Sequence, residues 1–238
     1  MKKAIVIGAT SGIGKGLAEI LVKNDFHVGI TGRRTELLED LRAQKSESFF
    51  VKAFDICDIK NNCDKLEELV EELGGLDLLI ISSGTGEINK ILDYKIEKQT
   101  IDINVIGFTS VVNWAFHFFE NQKFGHLIAI TSVGGLRGSG YAPAYNATKA
   151  FQINYLEGLR QKVTKLNYPI FITDIRPGFV DTAMAKGDGL FWIASVEKAS
   201  KQIFEAIKKR KKLVYITKRW RLIAIILKII PKQIYDRI

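Results

Sequence analysis

Ala4-Ile5-Val6-Ile7-Gly8-Ala9-Thr10-Ser11-Gly12-Ile13-Gly14 decides how this chain folds. Ala4 to Ile7 is a short apolar run that predicts a buried strand. Gly8, Gly12 and Gly14 follow at once, spaced G-x-x-x-G-x-G. They lead into a stretch that predicts a helix from Ile13 to about Asn24. Strand, glycine turn and helix in that order let the backbone approach a pyrophosphate. The missing side chains clear the space, and the helix start offers free N–H groups and the positive end of its dipole. Met1-Lys2-Lys3 and the run after it are too short for a signal peptide, because the glycines follow immediately.

Further β-rich runs lie at His27–Thr31, Phe49–Phe54, Leu76–Ile81, Leu127–Ile130 and Ile170–Ile175. Helical stretches are predicted between them, at Leu66–Leu73, at Ile96–Glu120 and from Pro143 onward, where proline suits a first turn. This alternation predicts an α/β fold: a three-layer, Rossmann-type, doubly wound parallel sheet. One domain is expected over 1–207, with a basic and apolar C-terminal extension over 208–238. The second strand ends in Gly32-Arg33-Arg34. Dinucleotide folds that prefer NAD usually place a carboxylate there for the ribose 2′-hydroxyl. No acid stands there to repel a 2′-phosphate, and two guanidiniums can bind one, so NADP(H) is the expected cofactor.

The chemistry is expected in Ser132 to Lys149. Ser132 should close the strand that precedes it, and Tyr145 and Lys149 should stand one turn apart on a helix face. A hydroxyl, a phenol and an ammonium facing one another suit proton transfer to an oxygen. A free phenol has a pKa of about 10, too high for efficient work near neutrality. Lowering it by about three units takes about 4 kcal/mol. A solvated ion pair supplies roughly 0–1 kcal/mol. Lys149 is therefore expected to be partly buried and helped by a second positive charge, such as an oxidised nicotinamide. Asn104 is a further candidate, because an amide inside an apolar helical stretch needs partners or a task.

Together these residues resemble the classical short-chain dehydrogenase/reductase family, from about Lys3 to Thr182. The family's cofactor turn matches Gly8, Gly12 and Gly14, with Thr10, Ser11 and Ile13 inside it and Ile7 where threonine is usual. Its aspartate after the third strand matches Asp55, followed by Ile56. Its helix asparagine matches Asn104, its serine Ser132, and its Tyr-x-x-x-Lys pair Tyr145 and Lys149. Its Pro-Gly segment matches Pro177-Gly178, with Val180 and Thr182 as nicotinamide contacts. After the fourth strand the family shows Asn-Asn-Ala-Gly; this chain reads Ile81-Ser82-Ser83-Gly84, so only Gly84 is kept. The resemblance implies hydride transfer between a nicotinamide and a carbonyl or secondary alcohol of a small or apolar substrate. Tyr145 would donate the proton, and Ser132 would hold the substrate oxygen. Lys149 would lower the Tyr145 pKa and bind the ribose hydroxyls. Asn104 would support a water linking Lys149 to solvent. Homo-oligomers, dimers or tetramers, are implied through the helices carrying Asn104 and Tyr145. A non-catalytic NADP(H)-sensing module is the alternative on the same fold.

The 238 residues are 47% hydrophobic and 26% charged, the balance of a folded domain. Cys57 and Cys63 suit a reducing, cytoplasmic setting, and the three histidines show no metal spacing, so no metal is expected. The net charge is +9. From Lys186 onward there are 14 Lys and Arg against 4 Asp and Glu, or +10, which leaves −1 for the rest. Lys208 to Lys212 is an unbroken basic run with few aromatics nearby, so nucleic acid is not an expected partner. Leu213–Thr217 predicts a last short strand. Trp220 to Ile230 predicts a helix stopped by Pro231, too short to span a bilayer. Lys218, Arg221, Lys228 and Lys232 fall near one stripe of it. That pattern fits peripheral contact with an anionic membrane; packing of its apolar face on the body or a second subunit would explain the isoleucines but not the basic excess. Met184, Leu190, Phe191 and Trp192 are candidates for an apolar pocket or for ordinary core.

Overall fold

In the computed structural model, which describes residues 1–185 and 189–237, seven parallel strands form one sheet. They are β1 (Lys2–Ile7), β2 (Phe26–Gly32), β3 (Phe49–Ala53), β4 (Leu78–Ile81), β5 (Gly125–Ile130), β6 (Ile170–Pro177) and β7 (Leu213–Ile216). Their order is β3-β2-β1-β4-β5-β6-β7. The winding direction reverses between β1 and β4, the position at which a doubly wound sheet opens a crevice beyond its strand ends.

Side chains alternate across the sheet and build two cores. Ala4 and Val6 face a layer with Leu17 and Leu21 of α1 (Gly12–Lys23), Leu38 and Leu41 of α2 (Thr35–Ala43), and Ile203 and Phe204 of α7 (Val196–Lys208). Ile5 and Ile7 face the opposite layer. It contains Leu66 and Leu69 of α3 (Asn62–Leu73), Val111 and Phe119 of α5 (Phe108–Gln122), and Leu156 and Leu159 of α6 (Pro143–Leu166). Both faces of the central strands are therefore dry, which is why Ala4 to Ile7 reads as a continuous apolar run rather than an alternation.

Helices α2 and α7 have no counterpart in the sequence reading, and neither has the short last helix Lys232–Tyr235. The single long helix expected from Ile96 to Glu120 is three pieces: α4 (Tyr94–Ile101), a wide π-helical turn (Asp102–Gly107) and α5. The π turn holds Asn104. Gly107 lets it pack closely, since a Cβ there would stand 2.7 Å from the Ile56 carbonyl oxygen. The segment from Lys208 onward supplies β7 to the sheet, paired with β6 from Asp174↔Leu213 to Pro177↔Ile216. It then continues as α8 (Trp220–Ile229) and α9 (Lys232–Tyr235). Trp220 and Ala224 of α8 are buried against the body. No helix among the described residues is long and apolar enough to cross a membrane.

Candidate active site

The glycine turn is tight because β1 and β4 run side by side beneath it. Gly8 has φ +87°, and a Cβ there would stand 2.7 Å from the Ser83 nitrogen; one at Gly14 would stand 2.1 Å from the Gly8 carbonyl oxygen. Gly8 N–H and Ala9 N–H both donate to the Thr31 carbonyl, which draws the turn toward the end of β2. Ser11 precedes α1, yet its hydroxyl caps nothing there. It accepts instead from Arg34 Nη2 at 3.1 Å, and Thr10 Oγ1 accepts from the same nitrogen at 2.5 Å. Arg33 Nη1 lies 3.7 Å from Asp55 Oδ2, and both side chains are exposed.

A cleft of about 330 Å3 opens over this turn. Gly8, Thr10, Ser11, Gly12 and Ile13 form its floor, Arg33, Arg34, Asp55 and Ile56 one wall, and Gly84 and Thr182 another. Gly14 is not in the lining; it supports the floor from below. The donor set fits a dinucleotide. It combines a cradle without Cβ atoms, a helix start whose N-cap side chain leaves the N–H groups free, and guanidiniums at the rim.

A second cavity, of about 450 Å3, shares Ile13, Ser82, Gly84, Thr182 and Met184 with the first. Ser132, Tyr145 and Lys149 line it, as do Pro177, Gly178 and Val180. Ser132 reaches it from the end of β5, where its Oγ accepts from Gly134 N–H at 2.9 Å. Asn146 Nδ2 ties that loop down by donating to the carbonyls of Gly134 and Arg137. The Tyr145 ring lies under the loop after β4, where a Cβ on Gly86 would come within 2.2 Å of it.

Lys149 is buried, 4% exposed. Its Nζ donates to the Ile130 carbonyl and to Gln152 Oε1, each at 3.0 Å. Burial pushes its pKa down to about 8, against the attraction of Asp174. Asp174 is itself buried, accepting from Thr131 Oγ1 at 2.5 Å and from Arg176 Nε at 2.8 Å. The expected lowering of the Tyr145 pKa by Lys149 is not found in the chain alone. Lys149 Nζ is 6.0 Å from the ring centroid. Burial pushes the phenol above its ordinary value, and the hydrogen bond with Ser132 works the other way.

Asn104 lies outside the linings of both cavities, and its side chain is fully engaged. Oδ1 accepts from Thr85 N–H at 2.9 Å, while Nδ2 donates to the Thr85 carbonyl and to Thr148 Oγ1. It pins the loop after β4 that covers Tyr145. Its carbonyl accepts from Gln152 Nε2 at 2.8 Å.

The C-terminal segment also enters the site. Trp220 and Leu227 of α8 line the catalytic cavity. A Cβ on Gly178 would stand 1.9 Å from the Trp220 ring, so glycine there lets the indole lie flat against the Pro177-Gly178 segment. Phe179 meets Trp220 edge-on at 5.2 Å, and Phe191 stacks on it at 5.1 Å. Met184 and Leu190 line the cavity, whereas Phe191 and Trp192 back up Trp220 and are partly exposed. Arg137 holds the far end of α8, donating from Nε to the Leu227 carbonyl at 2.9 Å and from Nη2 to the Ile230 carbonyl. Sequence reasoning missed Gly86, Asn146 and Gln152 as parts of the site. Gln152 alone left a signal, an amide seven residues after Tyr145 on the same helix face.

A model of the short chain dehydrogenase family matches residues 2–189. The chain is 35% identical over 187 residues to an uncharacterized oxidoreductase of Staphylococcus aureus strain MW2, covering 77% of this chain and 80% of that one. It is 30% identical over 188 residues to a similar protein of Staphylococcus epidermidis, covering 78% and 81%. The chain belongs to the short-chain dehydrogenase family, a family of oxidoreductases that bind a nicotinamide cofactor and act on small molecules. Solved structures share its fold. A short-chain dehydrogenase from Streptomyces avermitilis superposes with a TM-score of 0.82 at 23% identity, covering 95% of this chain and 91% of that one. A variant of actinorhodin polyketide ketoreductase solved with NADPH superposes at 0.80 and 19%, covering 90% and 95%.

Proposed function

We propose that this protein is an NADP(H)-dependent carbonyl reductase, or the reverse secondary-alcohol dehydrogenase. The observation that carries this reading is the meeting of Ser132, Tyr145 and Lys149 in one cavity that shares walls with the dinucleotide cleft. NADP(H), held by the glycine cradle with its 2′-phosphate toward Arg33 and Arg34, would supply or accept the hydride. Ser132 donates a hydrogen bond to the carbonyl oxygen and orients it. Tyr145 protonates that oxygen as negative charge develops. Buried Lys149 retains one N–H beyond the two it uses, which would hold the ribose hydroxyls of the cofactor. The cavity's other walls are mostly apolar, with Val180, Met184, Leu190, Trp220 and Leu227, which favours an apolar carbonyl compound. A panel of ketones and aldehydes, read by NADPH oxidation, is expected to yield turnover on apolar members. NADPH binding with no turnover across the panel would favour the sensing module instead.

The outer face of α8 supports action at a membrane surface. Leu222, Ile225, Ile226 and Ile229 are 61%, 46%, 51% and 72% exposed, opposite the buried Trp220 and Ala224. Arg221 and Lys228 border this face, in the segment that carries the +10 balance. An aliphatic face edged with cations matches a helix lying on anionic lipid. Full-length protein should co-sediment with phosphatidylserine vesicles, less so at high salt, and Ile226→Asp with Ile229→Asp should abolish it. No binding at low salt would overturn the assignment. The family's oligomers are assigned to a different face, where Trp114 stacks on Phe118 and Phe151 on Tyr155. The same double variant should therefore leave a dimer or tetramer mass in light scattering unchanged. A mass that falls would mean that α8 joins copies instead.

A further inference from the structure

The π turn and helix α6 are joined by one buried side chain. In an α-helix, Phe108 N–H would donate to the Asn104 carbonyl. Here it donates to Ile103 and Val105, so the π turn deprives the Asn104 carbonyl of that donor. Gln152 supplies one, with Nε2 at 2.8 Å. The other end of the same amide, Oε1, accepts from Lys149 Nζ at 3.0 Å. Gln152 is 1% exposed. A buried amide is costly unless its polar atoms are paired, and here both ends are, so an apolar residue at this position would leave the Asn104 carbonyl and one Lys149 N–H without that partner. Tyr145, Lys149 and Gln152 recur at i, i+4 and i+7, on one face of α6.

We propose that Gln152 is a positioning residue of the acid–base centre, a fixed amide bridge that holds the Lys149 ammonium against the π turn. This deepens the reductase reading and rests on it for its catalytic meaning. An amide nitrogen donates but does not accept, so the bridge orients Lys149 without relaying a proton through itself. Two of the three Lys149 N–H groups are thereby committed, to Gln152 and Ile130, and the third is aimed by elimination at the cavity. The charged and titratable groups acting on Lys149 are Asp174 on β6, paired with Arg176, and Tyr145 on its own helix. Gln152 adds a neutral acceptor that favours the charged form of Lys149, which burial otherwise disfavours.

The test titrates Lys149 in full-length protein carrying 13C-labelled lysine, its resonance identified by its loss in Lys149→Met. Lys149 should titrate at about 8 in the unaltered chain. Gln152→Leu removes the acceptor and should move the midpoint about one to two pH units lower. Gln152→Glu keeps an oxygen there and adds negative charge, so it should move the midpoint higher. The pH dependence of kcat should shift in the same two directions. A merely structural role would lower the melting temperature and leave both midpoints in place. Unmoved midpoints in the folded variants would overturn the proposal, and if Gln152→Leu fails to fold, Gln152→Glu decides alone. The titration needs no substrate, so a chain with no turnover would refute the reductase reading while the bridge is still tested.

Discussion

Tyr145→Phe should lower kcat by roughly 10²–10⁴-fold on any carbonyl substrate that the enzyme reduces, with NADPH affinity nearly unchanged. The substitution removes the transferable proton and keeps the ring. The ring itself has packing to preserve, because it fills the space beside Gly86. Burial holds the phenol above its ordinary pKa in the chain alone, so Tyr145 is stored as the protonated acid near neutral pH. This suits it to give a proton to a developing alkoxide. In the oxidation direction it must lose that proton, and the charges of Lys149 and of an oxidised nicotinamide would both favour that loss. Oxidation should therefore be more strongly limited at low pH than reduction. Retention of most of the turnover by Tyr145→Phe, measured under single-turnover conditions, would remove Tyr145 from the role of acid.

Arg34→Ala and Arg33→Ala should each reduce the preference for NADPH over NADH, together by roughly ten- to a hundredfold. A charge-assisted contact contributes about 1.5–3 kcal/mol, and each 1.4 kcal/mol is about tenfold in affinity. The two arginines are not equivalent. Arg34 already touches Thr10 and Ser11, at the mouth of the glycine turn. Arg33 faces Asp55 across 3.7 Å, an exposed pair worth little in itself, so its guanidinium is readily turned to another anion. NADH affinity should change little in either variant. Calorimetric titration with both cofactors checks this, and equal affinities in the unaltered protein would refute the assignment of the 2′-phosphate to these arginines.

Much of this was readable because it is local. A strand buried on both faces must be apolar throughout, and Gly8 and Gly14 must be glycines, because backbone atoms stand where a Cβ would be. Those two facts at Ala4 to Gly14 carry the parallel sheet and the cleft. The helical spacing of Tyr145 and Lys149 likewise follows from 3.6 residues per turn. Helix α2 is not legible in the sequence because only Leu38 and Leu41 of its nine residues are buried, a weak periodic signal.

The sequence by itself determined the order of the strands, the glycine cradle, the two arginines at the end of β2 and the one-turn spacing of Tyr145 and Lys149. Each depends on neighbours within about one turn or one strand end. The tertiary structure alone decided what touches across the sheet. Trp220 and Leu227, some seventy-five or more residues after Tyr145, close its cavity, because β7 extends the sheet beside β6 and brings α8 over Gly178. The Asn104 carbonyl meets Gln152 because a π turn shifts the backbone hydrogen bonds, which no apolar period reveals. Periodicity shows which side of an element is buried. The partner that side meets is set by the register of strands far apart in the chain.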